Sequence, residues 1–276
     1  EIRLSLVGSE MCIRDSYYGD TTTEGRRYFK DNVEYYVLLG EPEDIMENYA
    51  HVTGQSPMMP EWSLGFSNYE WGIDQAELYT MIDTYRAKGI PLDSYGIDYD
   101  WKYYGSDNYG EFTWNTNNFP DAASSALKNK LEGEGVKLIG ITKPRIVTKL
   151  SDGTVTQQGQ AAIAGDYFYP GHAEYTDYFY PVTVRSIDPY DEAVREWWWE
   201  HSAAAFDLGI SGWWNDETDT VASGAANYWF GNFTTLHLSQ ALYEGQREHT
   251  NDTVRVWQTA RNYYCLLYTS DAADEE

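Results

Sequence analysis

The chain has 276 residues, with 19 Lys and Arg against 44 Asp and Glu, and a formal charge of −25. That balance argues against nucleic acid or an anionic membrane as a partner, since both need a basic footprint, and no stretch is long and apolar enough to span a bilayer. Hydrophobic residues make up 42% and aromatic residues 16%, with 25 Tyr and 11 Trp. This is enough to bury the core of one large domain or two ordinary ones. The rings offer an apolar face beside a polar edge, a mixture that suits sugars.

Residues 1–16 show no secretory leader and share no register with the neighbouring chain. SLVGSEMCIRDS near the start and CLLYTSDAADEE at the end both back-translate through one inverted DNA element. TGTATAAGAGACAG encodes part of the first, and its reverse complement, CTGTCTCTTATACA, crosses the second junction. The element belongs to adapter DNA of transposase-based sequencing libraries, so residues 1–16 and 265–276 are expected to be adapter-derived and the natural protein to continue past Tyr264. The two cysteines, Cys12 and Cys265, fall inside these segments and carry no information on redox compartment.

Between them, VEYYVLLG reads as a strand ending at Gly40. PEDIMENYAHVTG reads as a helix, with Pro42 in its first turn, acids near its N-terminus and Gly54 at its end. SPMMPEW is a connector. From Trp62 the chain alternates: WSLGFS as a short buried strand, then an amphipathic helix with Ile73, Leu78, Met81, Ile82 and Tyr85 at helical spacing. IPLDSYGID is the next strand, DAASSALKNKLEGEG a helix, and VKLIGITK a strand. YDEAVREWWWEHSAAAFDLG is a helix closed by Gly209, ISGWWND a strand, FTTLHLSQALYEGQREHT a helix, and TVRVWQT a strand. The three tryptophans of EWWWEH read as helix packing rather than a sugar platform.

Strands of four to eight residues alternating with longer helices predict parallel βαβ units. No glycine-rich dinucleotide fingerprint follows the first strand, so the expected fold is α/β, a (β/α)₈ TIM barrel of which about the first five strands are present. Residues 147–188, rich in Tyr, Gly and Thr, read as a substrate-side loop or subdomain. Chemistry in such barrels sits at the carboxyl ends of the strands. Those ends carry Asp98 and Asp100 after the second strand, Lys143 after the third, Asp216 after the fourth and Arg261 after the fifth. Carboxylates and cations together at these positions suit carboxylate chemistry on a neutral polyol.

Five segments in order then resemble glycoside hydrolase family 31, the retaining α-glucosidase and α-xylosidase family. YAHVTGQSPMMPEWSLGF is similar to the family's approach to its barrel, IPLDSYGIDYDW to a strand supplying a substrate-binding aspartate, and GEFTWNTNNFPD to the segment after it. GWWNDETD resembles the nucleophile strand, where a tryptophan stands two residues before the catalytic aspartate, and VRVWQTARNYY the strand ending in a sugar-binding arginine. The resemblance implies Asp216 as nucleophile, with Asp98, Trp214 and Arg261 binding the sugar, no metal and no cofactor. It implies a carbohydrate substrate and hydrolysis of an α-linked terminal glucoside by double displacement, with xyloside, galactoside or N-acetylgalactosaminide as alternative substrates and transglycosylation as an alternative to hydrolysis. It also implies that residues 17–41 end an N-terminal β-sandwich domain and that the barrel occupies 42–264.

The sequence departs from the pattern at Lys143-Pro144, where most members have an aspartate before the proline, and at Thr218-Asp219, where the family has Asn-Glu. The general acid would fall beyond residue 276, so the chain alone is expected to be inactive, and a half barrel with open strand edges is expected to fold poorly. Rival readings of the same residues are a calcium cluster at Asp216, Glu217 and Asp219, a capping role for Asp98 or Asp100, and a structural ion pair at Arg261. The histidines at 51, 172, 201, 237 and 249 show no ligand spacing. A different class, a non-catalytic carbohydrate-binding scaffold on a degenerate barrel, is the alternative to an enzyme.

Overall fold

The structure, a computed structural model, describes residues 36–53, 57–103, 112–171, 173–177, 180–218 and 228–260. The first element is α1 (Pro42–Thr53), with Glu43 and Asp44 in its first turn, where negative charge meets the positive end of the helix. Ahead of it, the strand expected over VEYYVLLG is not formed at residues 36–39, where Tyr36, Val37 and Leu39 are exposed. An extended run needs a partner strand, and none among the described residues pairs with it. Residues 33–35, and nearly all of the expected N-terminal domain, lie outside the described residues.

The expected strand WSLGFS is a second difference. Glu61–Leu64 form a 3₁₀ turn after Pro60, and the strand β1 is Ser67–Glu70. Leu64 is 79% exposed, so this apolar run is not a core strand. The Asp93 carboxylate takes the Phe66 N–H at 3.0 Å, while the Phe66 carbonyl accepts the Asp93 and Ser94 N–H groups at the edge of the ladder. Helix α2 (Gln75–Ala87) follows, opened by a reciprocal capping box between Asp74 and Glu77, with Leu78 and Ile82 fully buried. Next come β2 (Ser94–Ile97), 3₁₀ turns at Tyr99–Trp101 and Pro120–Ala123, and α3 (Ala126–Glu134). Gly135, at φ 71°, closes α3 in the left-handed conformation that glycine adopts without strain.

Strand β3 (Lys137–Thr142) leads into the insertion, which begins two residues earlier than expected and is a folded subdomain: β4 (Arg145–Lys149), α4 (Gln157–Gly165), β5 (Tyr175–Thr176) and β6 (Thr183–Ser186). Its three strands form an antiparallel sheet in the order β4-β6-β5. The chain then continues through α5 (Glu192–Asp207), β7 (Ile210–Asn215), α6 (Tyr228–His249) and β8 (Gln258–Ala260). The expected strand TVRVWQT is thus confined to its last residues. Val256 enters the core and Trp257 packs on Trp62 with ring centroids 5.7 Å apart.

The five barrel strands form one parallel sheet in the order β1-β2-β3-β7-β8, the arrangement expected of the first strands of a (β/α) barrel. Tyr95, Ile97, Leu138 and Trp213 cluster with Leu78, Ile82, Leu127, Trp198 and Leu242 from the helices. Trp213 also donates its indole N–H to Gln246 Oε1 at 3.1 Å. Within EWWWEH, Trp197 and Trp198 are buried and Trp199 packs on the same core. Among the described residues no helix is long and apolar enough to cross a membrane.

Candidate active site

The alternation of side chains along β7 sends Trp213 outward to the helices and Trp214 and Asp216 to the opposite, inner face. The Trp214 ring meets Tyr69 of β1 edge-on, 5.6 Å between centroids at 89°. Tyr69 packs over Gly96 of β2, where a Cβ would run into the ring. The missing side chain is what lets the two aromatic rings line the interior. One step above Trp214, the Asp216 N–H donates to the Thr142 carbonyl at 2.9 Å, which extends the β3–β7 ladder and fixes Asp216 at the carboxyl end of its strand.

Around Asp216 the strand ends are charged and mostly buried. Lys143, one residue past β3, places its ammonium 3.4 Å from Asp216 Oδ2 and donates to Glu217 Oε1 at 2.7 Å. Arg145 pairs with Glu217 through one guanidinium nitrogen and donates from Nε to Asp177 Oδ2 at 2.5 Å. Lys143, Arg145, Asp177 and Glu217 are all buried. Burial pushes the Glu217 carboxyl up, but Arg145 and then Lys143 outweigh it and hold the group below the usual range. Glu217 also sits at φ 54°, a left-handed conformation that is uncommon for a non-glycine residue.

Asp98 directly follows β2 on the same inner face and caps the turn after it, accepting the Tyr99 N–H at 2.7 Å. Burial raises its pKa and the Asp216 charge adds to the rise, while the Tyr99 N–H and the Lys143 ammonium act against it. The capping role and proximity to Asp216 therefore coexist. Asp100 does not cap the following loop. It accepts the Gly72 N–H at 2.7 Å and so ties the β1–α2 loop to β2. Lys102 is fully buried beside the Trp101 and Phe112 rings, and desolvation, helped by Lys143, lowers its pKa to about 7. Tyr95 donates its hydroxyl to Glu70 at the end of β1.

Of the residues expected at the site, Asp216, Trp214 and Asp98 are brought to one face of the sheet, and Arg261 lies outside the described residues. Arg145 and Asp177 were missed. Arg145 left a weak signal, a second cation two residues after Lys143 across Pro144, whereas Asp177 left none. The calcium reading loses support, because Glu217 spends its oxygens on two cations. Among the described residues no three His, Cys, Asp or Glu are grouped to hold a metal, and Asp219 lies outside them. The arrangement presents one partly accessible carboxylate, an ammonium that favours its ionised form, and an aromatic wall below it. Such a group can attack an electrophilic carbon, or bind hydroxyls.

The Glycosyl hydrolases family 31 TIM-barrel domain model matches residues 56–266. A 1,6-alpha-glucosyltransferase of Sporosarcina globispora is 60% identical over 248 residues, covering 90% of this chain and 19% of that protein. Alpha-glucosidase 2 of Bacillus thermoamyloliquefaciens is 33% identical over 190 residues, covering 67% of this chain and 23% of the relative. The chain thus spans less than a quarter of the length of either. In fold it is similar to a family 31 dextranase of Flavobacterium johnsoniae, with a TM-score of 0.66 at 20% identity over 81% of this chain and 28% of that one. The chain belongs to glycosyl hydrolase family 31, and residues 56–266 to that family's TIM-barrel domain.

Proposed function

We propose that the chain is the first half of the catalytic barrel of a retaining α-glucoside-processing enzyme, with Asp216 as nucleophile. The observation that carries this reading is the placement of Asp216 at the inner carboxyl end of β7, above Trp214 and 3.4 Å from the Lys143 ammonium. In the first step an Asp216 oxygen attacks the anomeric carbon and the glycosidic C–O bond breaks. The leaving oxygen takes a proton from a second carboxylic acid. The sugar is then held as a β-linked ester. In the second step an acceptor hydroxyl, deprotonated by that same carboxylate, displaces Asp216 and restores the α configuration. The two carboxyls must stand about 5–5.5 Å apart for this. Asp98 and Arg261 bind hydroxyls of the sugar, and Trp214 walls the pocket.

Similarity to a 1,6-alpha-glucosyltransferase favours glucose as the sugar and a second sugar, rather than water, as acceptor. Similarity to an alpha-glucosidase supports hydrolysis as the second reading. In the same proposal residues 17–41 close an N-terminal β domain, 42–264 belong to the barrel with its insertion at about 147–188, and the two ends are adapter-derived. The test begins with long-read sequencing of the source DNA across the codon for Tyr264 and expression of the full-length protein. Wild-type protein is expected to transfer glucose from an α-glucoside with retention, and a fluorinated glucosyl fluoride to label the peptide containing Asp216. An active Asp216→Asn protein, or a label on another residue, would refute the assignment. Sugar binding without turnover in the wild type would establish the scaffold reading instead.

A further inference from the structure

The inner strand ends hold a row of alternating charges that double displacement does not by itself require. Asp177, just past β5, accepts from Arg145 Nε at 2.5 Å. Arg145, the first residue of β4, pairs with Glu217, Glu217 accepts from Lys143 at 2.7 Å, and Lys143 stands 3.4 Å from Asp216. Three segments distant in sequence converge to make the row, and two of its five members, Arg145 and Asp177, lie on the folded insertion. Each cation lies between two carboxylates. Glu217, the central one, is held at φ 54° directly after Asp216, so its side chain and the Asp216 carboxylate share one backbone constraint.

We propose that Lys143 is a positioning residue for Asp216, and that Glu217, Arg145 and Asp177 hold Lys143 in place, so that the insertion is electrostatically coupled to the nucleophile. This rests on the reading of Asp216 given above. The unequal distances carry the argument. A full hydrogen bond from Lys143 to Asp216 would engage one lone pair of the carboxylate and draw electron density from the group that must attack carbon. At 3.4 Å the hydrogen bond is largely lost, whereas the attraction of the charge falls only with distance. Glu217, by taking Lys143 at 2.7 Å, keeps the ammonium back from Asp216 while leaving its field there. Arg145 and Asp177 in turn fix Glu217. The ionisable groups facing Asp216 and Lys143 are Asp98 and Lys102 after β2, Arg145 on β4, Asp177 past β5 and Glu217 past β7.

The test is the pH dependence of kcat/KM for an aryl α-glucoside, measured on full-length wild-type, K143M, K143R and D177N enzymes. K143M removes the cation that favours ionised Asp216, so the acidic limb moves up by about 1 pH unit. In the same variant kcat falls roughly 100-fold, with KM little changed. K143R keeps the charge and leaves the limb in place. D177N takes a negative charge from the far end of the row and moves the limb down. Shifts of opposite sign at the two ends are what a merely structural role would not produce. Limbs that coincide with wild type, or that shift in the same direction, overturn the inference. If K143M does not fold, an unmoved limb in D177N overturns it alone. An active D216N enzyme would sink the nucleophile reading and this inference together. A dead D216N with unmoved limbs in the other variants sinks only this inference.

Discussion

The two faces of the parallel sheet are built on different terms. The outer face is a layer of large apolar side chains, Tyr95, Ile97, Leu138 and Trp213 against Leu78, Ile82 and Trp198, in which each residue contributes its own burial. The inner face at the strand ends is a chain of paired charges, in which removing one member leaves its neighbours buried and uncompensated. Outer-face damage should therefore be graded and appear as lost stability. Inner-face damage should be abrupt, costing stability inside the row and, at Asp216, which ends it and leaves Lys143 paired with Glu217, appearing as lost chemistry.

The largest expected effect lies on the inner face. In the full-length enzyme Asp216→Asn should lower turnover by roughly 10⁴-fold or more with little change in melting temperature, and a parallel loss of stability would break the division. On the outer face Trp198→Ala should cost about 3–5 kcal/mol in denaturant titrations, with turnover per folded molecule unchanged. Lys102 stands at the boundary, packed beside Trp101 and Phe112 yet sensing Lys143 and Arg145. Its folded pKa of about 7 lies below the usual 10.5, so between those values the unfolded chain holds a proton that the folded chain has shed. Stability should rise with pH across that window. Lys102→Met should remove the slope in thermal melts and stabilise by about 2 kcal/mol at pH 7. The smallest effect belongs to Gly96→Ala, whose new Cβ meets the partly exposed Tyr69 ring. The contact reaches the Tyr69 Cγ, so the whole ring must swing away about its Cα–Cβ bond, at a cost of about 1–2 kcal/mol. Because Tyr69 backs Trp214, the KM for the α-glucoside should nevertheless rise, and an unchanged KM would separate Trp214 from the sugar.

The same contrast explains what could be read from the sequence. Outer-face residues announce themselves by period, as Leu78 and Ile82 do within α2, and the alternation of short strands and helices gives the parallel order. Asp216 and Trp214 were legible because a carboxylate and an indole two residues apart at a strand end share a face. WSLGFS misled because an apolar run looks the same whether it is buried or, like Leu64, left at the surface. The pairing of Arg145 with Glu217, 72 residues away in sequence, depends on how the insertion folds back. No local pattern encodes that return, nor the left-handed turn at Glu217.

The insertion leaves and rejoins the barrel at almost one point, since the Ile187 N–H donates to the Pro144 carbonyl at 3.1 Å. It is in that sense a cassette, which could be excised or transplanted by closing a short turn between β3 and α5 without disturbing the sheet order. Excision would carry away Arg145 and Asp177, one cation and one anion, and would leave Glu217 to Lys143 without a rival. Trading this single module would thus rewire the charges behind Asp216 while every barrel strand stayed where it is.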